Sequence, residues 1–197
     1  MINSDKVIKI ANGNNGYVTT KMIKESGIPT IELTRLIKQN KLERISRGYY
    51  VLKGSFNDEY YRCQLKSKNA IFSHATALYF YDLSDRTPLY FDITVPNGYN
   101  GSLSKDKNVT LHYVKKEFLE LGLTTVESPF GMKLRTYDLE RTICDIVKNR
   151  NHMDKEIFTK ALKRYSKLKQ KDLLKLMKYA KKLNIDKKVL EYMEVLL

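Results

Sequence analysis

The fold is decided by residues 17–52, which read YVTTKMIKESGIPTIELTRLIKQNKLERISRGYYVL. Thr19 or Thr20 is placed to cap a short helix, because a hydroxyl at that position can accept a hydrogen bond from a free helix amide. Gly27 can adopt the positive φ that ends this helix. Pro29 suits the first turn of a second helix, where no amide proton is needed. The stretch therefore begins with two helices joined by a tight turn.

The second helix is predicted to have two unlike faces. Leu33, Leu36 and Ile37 share one side at helical spacing, and the pattern extends to about Asn40. The opposite side is basic and polar, since it carries Ile31, Thr34, Arg35 and Lys38. The first face is expected to pack on a core and the second to stay exposed.

A β-hairpin is predicted directly after these helices. Its strands are Leu42–Ile45 and Tyr49–Leu52, around a turn in which Gly48 supplies the conformation and Arg47 lies at the tip. Two helices followed by such a hairpin are typical of a winged helix-turn-helix. In that module the N-terminal half of the second helix enters the major groove of DNA, and the preceding helix crosses the phosphate backbone.

This docking geometry predicts which side chains contact DNA. The candidates for contacts with bases or neighbouring phosphates are Thr30, Thr34, Arg35 and Lys38. The candidates for phosphate contacts are Thr20, Lys21, Arg44 and Arg47. The alternative is a small helical hairpin whose charges are merely solvated, and the basic composition favours DNA binding over it.

Charge is unevenly distributed along the chain. The 197 residues carry a formal net charge of +14, which favours a polyanionic partner. Residues 1–56 hold 10 basic against 4 acidic side chains, residues 57–147 hold 11 against 12, and residues 148–188 hold 15 against 4. Two basic ends therefore flank a nearly neutral middle.

The remaining composition, 42% hydrophobic and 29% charged, is that of an ordinary globular protein. Cys63 and Cys144 lie in apolar segments, so no disulfide framework is expected. No run of about 18 apolar residues occurs, and no basic leader opens the chain. These features predict a cytoplasmic protein without a membrane partner.

We place a domain boundary near residue 55, because Lys53–Asn57 has the composition of a short linker. Ser4 is expected to cap a first helix that ends near Asn12. Beyond the linker, a helix is expected over Asp58–Ser67.

The middle of the chain alternates between helical and β-rich patterns. Ser73 is expected to cap a helix through Tyr81, and Asp138 is expected to open another. Between them lie four β-rich runs, which are expected to form one mostly antiparallel sheet. The runs are Tyr90–Val95, Val109–Val114, Thr124–Glu127 and Met132–Arg135.

Residues 151–197 are helical by their apolar periodicity, and their opposite faces are rich in lysine. One helix is expected to carry Lys160, Lys163, Arg164 and Lys167, and the next Lys171, Lys175, Lys178 and Lys182. These eight residues are candidates for contacts with DNA phosphates that flank the main site, because concentrated charge is costly through self-repulsion unless a partner balances it. Simple solvation and an anionic membrane are the alternatives, and the absence of Trp argues against the membrane.

No catalytic residue, metal site or cofactor is predicted. Ser73 and His74 are adjacent at a helix start, where neighbours do not face one another, and His112 and His152 lack partners at zinc spacing. The carboxylates that deserve comparison with a metal-dependent nuclease are Asp92, Glu127, Asp138, Glu140 and Asp145. A cap at Asp138 and surface pairing of Glu140 with Arg141 and of Asp145 with Lys148 explain most of them. A nuclease is therefore the least favoured alternative.

The order of several motifs resembles the AbiEi antitoxins. After the winged module come Ile71–Leu78, Leu83, Pro88, Ile93–Pro96 and Tyr137–Asp145, and the resemblance spans essentially the whole chain. It implies a bacterial toxin–antitoxin or abortive-infection protein, used in phage defence, whose winged helix represses its own operon at inverted repeats. It also implies a C-terminal domain that counteracts a nucleotidyltransferase-like toxin in the type IV manner, without a stable complex.

The sequence thus predicts an α+β protein of two domains. Residues 1–55 are expected to form the winged helix and residues 56–197 the antitoxin domain, which is mixed α/β to residue 150 and a bundle of basic helices from residue 151. The expected partner is double-stranded operator DNA, bound by a protein that is monomeric in solution and pairs on the duplex. A plain transcription regulator with a sensing or dimerising C-terminal domain is the alternative.

Overall fold

The computed structural model describes residues 2–55 and 58–196, and the chain forms two compact units, Met1–Lys66 (unit 1) and Ser67–Leu197 (unit 2). Both helices and sheets are present, which confirms the α+β class. Phe56 and Asn57 of the expected linker lie outside the described residues. The division falls later than the expected boundary near residue 55, because a helix beyond the linker belongs to unit 1.

Unit 1 consists of short helices and one sheet. Its elements are α1 (Asn3–Asn12), β1 (Tyr17–Thr19), α2 (Thr20–Glu25), α3 (Ile31–Lys38), β2 (Leu42–Ser46), β3 (Tyr49–Leu52) and α4 (Glu59–Leu65). Within the described residues the sheet has three strands in the order β1-β3-β2, and both pairings are antiparallel. Strand β1 was not anticipated from the sequence. Its pairing makes β3 the central strand.

Local side-chain chemistry sets the ends of the elements in unit 1. The Thr19 hydroxyl accepts a hydrogen bond of 3.1 Å from the Met22 amide and so caps α2. Gly27 has φ +68° after α2, and Gly48 has φ +86° in the hairpin turn, a region that L side chains rarely adopt. These three expectations are confirmed.

Two expected helix starts are wrong. Ser4 lies inside α1, and its hydroxyl donates to Glu32 at 2.6 Å instead of capping the helix. Pro29 precedes α3, because Ile28 is buried and donates its amide to the Ile23 carbonyl before the chain turns. The second helix consequently begins at Ile31 and ends at Lys38, earlier than expected.

The core of unit 1 is apolar. It is formed by α1, α2, α3 and the sheet, and its buried residues are Val7, Ala11, Val18, Ile23, Ile28, Leu33, Leu36 and Leu42. Because α3 inserts Leu33 and Leu36 into this core, the opposite face of the helix is turned outward.

Unit 2 combines a sheet with a helical part. Its strands are β4 (Ile71–Phe72), β5 (Phe91–Pro96), β6 (Val109–Val114), β7 (Leu123–Glu127) and β8 (Lys133–Tyr137). Its α-helices are α5 (His74–Phe80), α6 (Leu139–Lys148), α7 (Lys155–Lys167), α8 (Leu173–Lys182) and α9 (Asp186–Leu196). The helical part buries Phe158, Leu162, Tyr165, Leu176 and Met193 together with Ile143 and Ile146 of α6.

The sheet of unit 2 is mixed rather than mostly antiparallel. Within the described residues its order is β6-β5-β4-β8-β7. The pairings β4–β5 and β7–β8 are antiparallel, whereas β4–β8 and β5–β6 are parallel. The sequence did not predict strand β4. It lies at the centre of the sheet and pairs with β8 in parallel at Phe72, which is one reason why the sheet is not mostly antiparallel.

Helix α6 differs from its predicted character. Glu140, Arg141 and Asp145 are all buried, so the expected surface pairing of Glu140 with Arg141 and of Asp145 with Lys148 is wrong. Arg141 Nε donates to Asp145 Oδ1 at 2.9 Å instead. Asp138 does cap the helix, since its carboxylate accepts from the Arg141 amide at 2.8 Å. In the described part of the chain, no helix is both long and apolar enough to cross a membrane.

Candidate nucleic-acid interface

The outward face of α3 carries the side chains that the sequence assigned to DNA. Thr30, Thr34, Arg35 and Lys38 are all exposed, while Leu33 and Leu36 are buried beneath them. Ile31 stands at the N-terminal end of the same face with 66% of its surface exposed. The face therefore combines hydroxyl, cationic and apolar groups along one side of a short helix.

The charges on this face and on α2 are weakly held. Arg35 lies 3.9 Å from Glu32, and Lys21 lies 3.8 Å from Glu25. Both cations are more than half exposed, and pairs of this kind contribute roughly 0–1 kcal/mol, so a phosphate or a base edge can replace the carboxylate at little cost. Glu32 is also held from the other side by the Ser4 hydroxyl of α1, which keeps its carboxylate close to the core side of the helix.

The hairpin turn is joined to the start of α2. The Thr20 amide donates to the Gly48 carbonyl at 2.9 Å, and Arg44 Nε donates to the Ser46 carbonyl at 3.3 Å. Arg47 is exposed next to Gly48 at the tip of the hairpin. The structure therefore brings the Thr20 end of α2 and the hairpin tip together.

Helix α4 braces the hairpin through strand β2. Arg62 forms an ion pair with Glu43 of β2, and the Ser46 hydroxyl donates to the Leu65 carbonyl at 2.7 Å. The ring of Tyr61 packs edge-on against Tyr17 of β1, with 4.8 Å between centroids. These contacts explain why the compact unit extends past the expected boundary.

The eight basic candidates of the C-terminal helices fall into two groups. Lys163, Lys167, Lys178 and Lys182 are exposed. The others are already engaged: Lys160 with Glu156, Arg164 with Asp85 and the Asp82 carbonyl, Lys171 with the Leu168 carbonyl, and Lys175 with Asp138 and Glu140. Lys171 also precedes α8 instead of lying on it.

Lys175 is the most strongly engaged of these residues. Its ammonium lies 2.9 Å from Asp138 Oδ2 and 3.2 Å from Glu140 Oε2. Burial opposes its charge, but the hydrogen bonds to the two carboxylates outweigh burial and raise the pKa of Lys175. Its charge therefore balances the buried Glu140.

Sequence reasoning missed a polar cluster in unit 2. His74 Nδ1 and the Ser73 hydroxyl share a hydrogen bond of 2.9 Å, because His74 has φ +46° and the two side chains are thereby turned toward each other. His112 Nε2 is 2.7 Å from Asp92 Oδ1, a carboxylate partner that the sequence spacing did not indicate. The strand pairing of β5 with β6 places that carboxylate, and no local sequence signal could have found it.

The five compared carboxylates do not gather around one point. Asp92 is paired with His112, Asp145 with Arg141, and Glu127 is exposed at the end of β7. Across residues 2–55 and 58–196, no group of three or more His, Cys, Asp or Glu side chains is placed to hold a metal ion. Cys63 and Cys144 are both buried.

Comparison with known families assigns residues 5–53 to a class of transcriptional regulators. The matching family model is described as "Transcriptional regulator, AbiEi antitoxin", which agrees over these residues with the predicted resemblance to the AbiEi antitoxins. The match reaches from α1 to β3 of unit 1 and leaves out α4. Its description names a regulator and an antitoxin rather than an enzyme.

Comparison with solved structures supports the fold over most of the chain. The crystal structure of the RV2827C protein from Mycobacterium tuberculosis is similar, with a TM-score of 0.62 over 91% of this chain and 71% of that chain. Only 13% of the aligned residues are identical, so the likeness concerns the fold alone. A search among curated proteins finds no match.

Proposed function

We propose that unit 1 is a winged helix-turn-helix through which the protein binds operator DNA and represses its own operon. The outward face of α3 is the observation that carries this proposal. It presents Thr34, Arg35 and Lys38 to solvent on a helix that is anchored through Leu33 and Leu36. The family match over residues 5–53 supports the same reading, since that family is described as a transcriptional regulator.

Each group in this surface has a distinct role in the proposal. Arg35 reads a guanine edge through two parallel hydrogen bonds, and Thr34 and Lys38 bind bases or phosphates beside it. Ile31, at the N-terminal end of α3, suits the methyl group of a thymine. Thr20, Lys21, Arg44 and Arg47 hold phosphates and so fix the register of the helix. Thr30 precedes the helix and is placed to help bind the adjacent backbone.

The direct test is binding to the protein's own upstream promoter fragment, measured by fluorescence anisotropy against a random duplex of equal length. Arg35→Ala should lose on the order of 1–3 kcal/mol on the promoter and clearly less on the random duplex. Lys9→Ala, which removes an exposed charge from α1, is the matched control and should change neither. Equal losses on both duplexes would reject base reading by Arg35, and a wild-type protein that ignores the promoter at low salt would refute the proposal.

Three exposed lysines of the C-terminal helices, Lys163, Lys167 and Lys178, extend the footprint in this proposal. Each phosphate they neutralise contributes about −0.9 to the slope of log affinity against log salt. Lys163→Ala with Lys167→Ala should therefore reduce that slope by up to about 2. The control is Lys105→Ala with Lys107→Ala, which removes equal charge from exposed positions outside the basic segment. An unchanged slope in the first double variant, or an equal change in both, would show that these helices do not contact the duplex.

The antitoxin part of the proposal concerns unit 2. We propose that it counteracts a nucleotidyltransferase-like toxin in the cytoplasm without forming a stable complex, as in type IV phage-defence systems. We further propose that the protein is monomeric in solution and pairs on inverted repeats. Co-expression of unit 1 variants such as Arg35→Ala with the toxin from the neighbouring reading frame should still rescue growth, because the two tasks lie in different units.

A second candidate function is that of a plain regulator whose unit 2 senses a ligand. The cavities of unit 2 favour it, since they have the volume of small-molecule sites. This candidate would be favoured if the protein binds its promoter but does not rescue growth when it is co-expressed with the toxin.

A further inference from the structure

Two neighbouring cavities open on unit 2, with volumes of about 480 and 620 Å³. Both are lined by His74, His112, Asn149 and His152. The three histidines among these are the only ones in the sequence. All the lining residues belong to unit 2, so the cavities are complete within it.

The larger cavity is rimmed by positive charge. Lys115, Lys148 and Lys182 line it and are exposed, as expected for the mouth of a cleft. Asp145 is the one acidic residue of its described lining, and it already forms an ion pair with Arg141. The balance of charge in the cleft therefore favours an anion.

The inner wall of the same cavity holds an incompletely paired buried ion pair. Arg141 Nε donates to Asp145 Oδ1 at 2.9 Å, and Arg141 Nη1 donates to the carbonyls of Phe118 and Leu121 at 2.8 Å each. Arg141 Nη2 and Asp145 Oδ2 have no hydrogen-bond partner among the described residues, although the side chains are only 0% and 6% exposed. A buried polar group left in this state is destabilising, because it has lost its hydrogen bonds to water without gaining others.

These two atoms require complementary partners. The guanidinium nitrogen needs an acceptor and the carboxylate oxygen needs a donor, so a hydroxyl group, which supplies both, suits the pair. A second phosphate oxygen does not suit it, because the carboxylate would repel an anion. The inner wall therefore suits a hydroxyl group of a ligand, and the rim suits an anionic group of the same ligand.

The histidines stiffen the cavity between its rim and its inner wall. Asp92 orients His112, and the His74 and His112 rings stack with 3.5 Å between centroids. The Ser73 hydroxyl accepts from Thr94 at 2.9 Å and shares a hydrogen bond with His74 Nδ1. Burial, and then the neighbouring His112, lower the pKa of His74 to about 3, which keeps its ring neutral.

We propose that the larger cavity binds a small hydroxylated molecule that carries a phosphate group, with the phosphate at Lys115, Lys148 and Lys182 and a hydroxyl at the Arg141–Asp145 pair. A volume of about 620 Å³ is suited to such a molecule. The site lies outside the helices and hairpin that the family match covers. It goes beyond DNA binding and toxin neutralisation.

The test uses ribose 5-phosphate as the probe, with inorganic phosphate and ribose as partial probes. The full-length protein is titrated while the imidazole Cε1–H signals are followed by NMR, because its three histidines all report on this site. Ribose 5-phosphate should move the His112 signal saturably, inorganic phosphate more weakly, and ribose hardly at all. No saturable shift with ribose 5-phosphate, or equal binding of ribose, overturns the proposal.

Surface variants make the test independent of folding. Lys148→Ala with Lys182→Ala should raise the dissociation constant for ribose 5-phosphate about tenfold, which corresponds to the loss of 1.4 kcal/mol. Lys163→Ala with Lys178→Ala removes equal exposed charge away from the lining and should leave it within about twofold. An equal effect of both double variants overturns the proposal. So does displacement of the sugar phosphate by a random DNA duplex that produces the same histidine shifts, because the rim would then bind nucleic acid.

Discussion

Helices α3 and α6 place their charges in opposite ways. On α3, Arg35 and Lys38 are exposed above an apolar core. On α6, Arg141 and Asp145 are buried, and Arg141 is fixed by a carboxylate and two backbone carbonyls. Both helices are short and amphipathic in sequence. The charges of α3 are therefore available to a binding partner, whereas most of the charges of α6 are already hydrogen-bonded within the fold.

This contrast separates stability from binding in a way that can be measured. Removing an exposed charge changes the free energy of unfolding little, usually within about 0.5 kcal/mol. Removing one partner of a buried ion pair leaves the other charge without compensation, which costs on the order of 3–5 kcal/mol. Substituting a charged residue should therefore change DNA binding when the residue lies on α3 and the free energy of unfolding when it lies on α6.

The largest expected effect is that of Arg141→Ala. It leaves Asp145 buried without its partner and exposes the Phe118 and Leu121 carbonyls to an unfilled space, so the free energy of unfolding should fall by roughly 3–5 kcal/mol. Urea denaturation of the full chain, followed by circular dichroism, measures the change. Arg35→Ala is the control and should unfold at nearly the wild-type urea concentration. Equal losses in the two variants would erase the contrast between α3 and α6.

A second expected effect depends on pH and concerns His74. Its pKa in the folded protein is about 3, against an ordinary value of 6.5. Between pH 3 and pH 6.5, His74 is therefore protonated in the unfolded chain and neutral in the folded protein. The stability contributed by neutral His74 is complete above pH 6.5 and is lost as the pH falls toward 3. At pH 4 the loss is on the order of 3 kcal/mol, at 1.36 kcal/mol per pH unit.

The matching variant is His74→Asn, because asparagine tolerates the positive φ at this position. Its unfolding free energy should fall by about 3 kcal/mol less than that of the wild type between pH 7 and pH 4. Parallel pH profiles for the two proteins would show that His74 does not resist protonation.

The smallest expected effect is that of Arg47→Ala at the hairpin tip. A phosphate contact carries no sequence information, so binding should weaken by a similar amount on promoter and random duplexes, and the salt slope should fall by about 1. The unfolding free energy should stay within about 0.5 kcal/mol of wild type. A loss confined to the promoter duplex would make Arg47 a base-reading residue instead.

Local chemistry made most of unit 1 predictable. Thr19, Gly27 and Gly48 act on amides and turns within a few residues of themselves, so their roles follow from the sequence alone. The strands of the hairpin were predicted almost to the residue for the same reason. That the outward face of α3 binds DNA remains a proposal, although its exposure is as expected.

Long-range pairing made much of unit 2 unpredictable. Strand β4 has only two residues, which is too short for any periodic signal, and its partners lie near Thr94 and Thr136. In the sequence, the charges of α6 look like those of a solvated helix face. The carbonyls of Phe118 and Leu121, which accept hydrogen bonds from Arg141, are too distant in sequence to indicate that this side chain is buried. His74 contacts Ser73 through a positive-φ backbone conformation that is uncommon for residues other than glycine. Each of these features depends on the folded chain rather than on its neighbours in sequence.

The central position of β3 in the small sheet has a kinetic consequence. Its backbone is hydrogen-bonded along both edges, to β1 and to β2, and the carbonyl of Gly48 in the turn before it accepts a hydrogen bond from the Thr20 amide. A hairpin ordered in this way surrenders little conformational freedom when it meets a duplex. Binding of the protein to DNA should then need no folding step in the hairpin. Association rates measured by stopped flow should therefore depend on ionic strength and not on ordering of the hairpin.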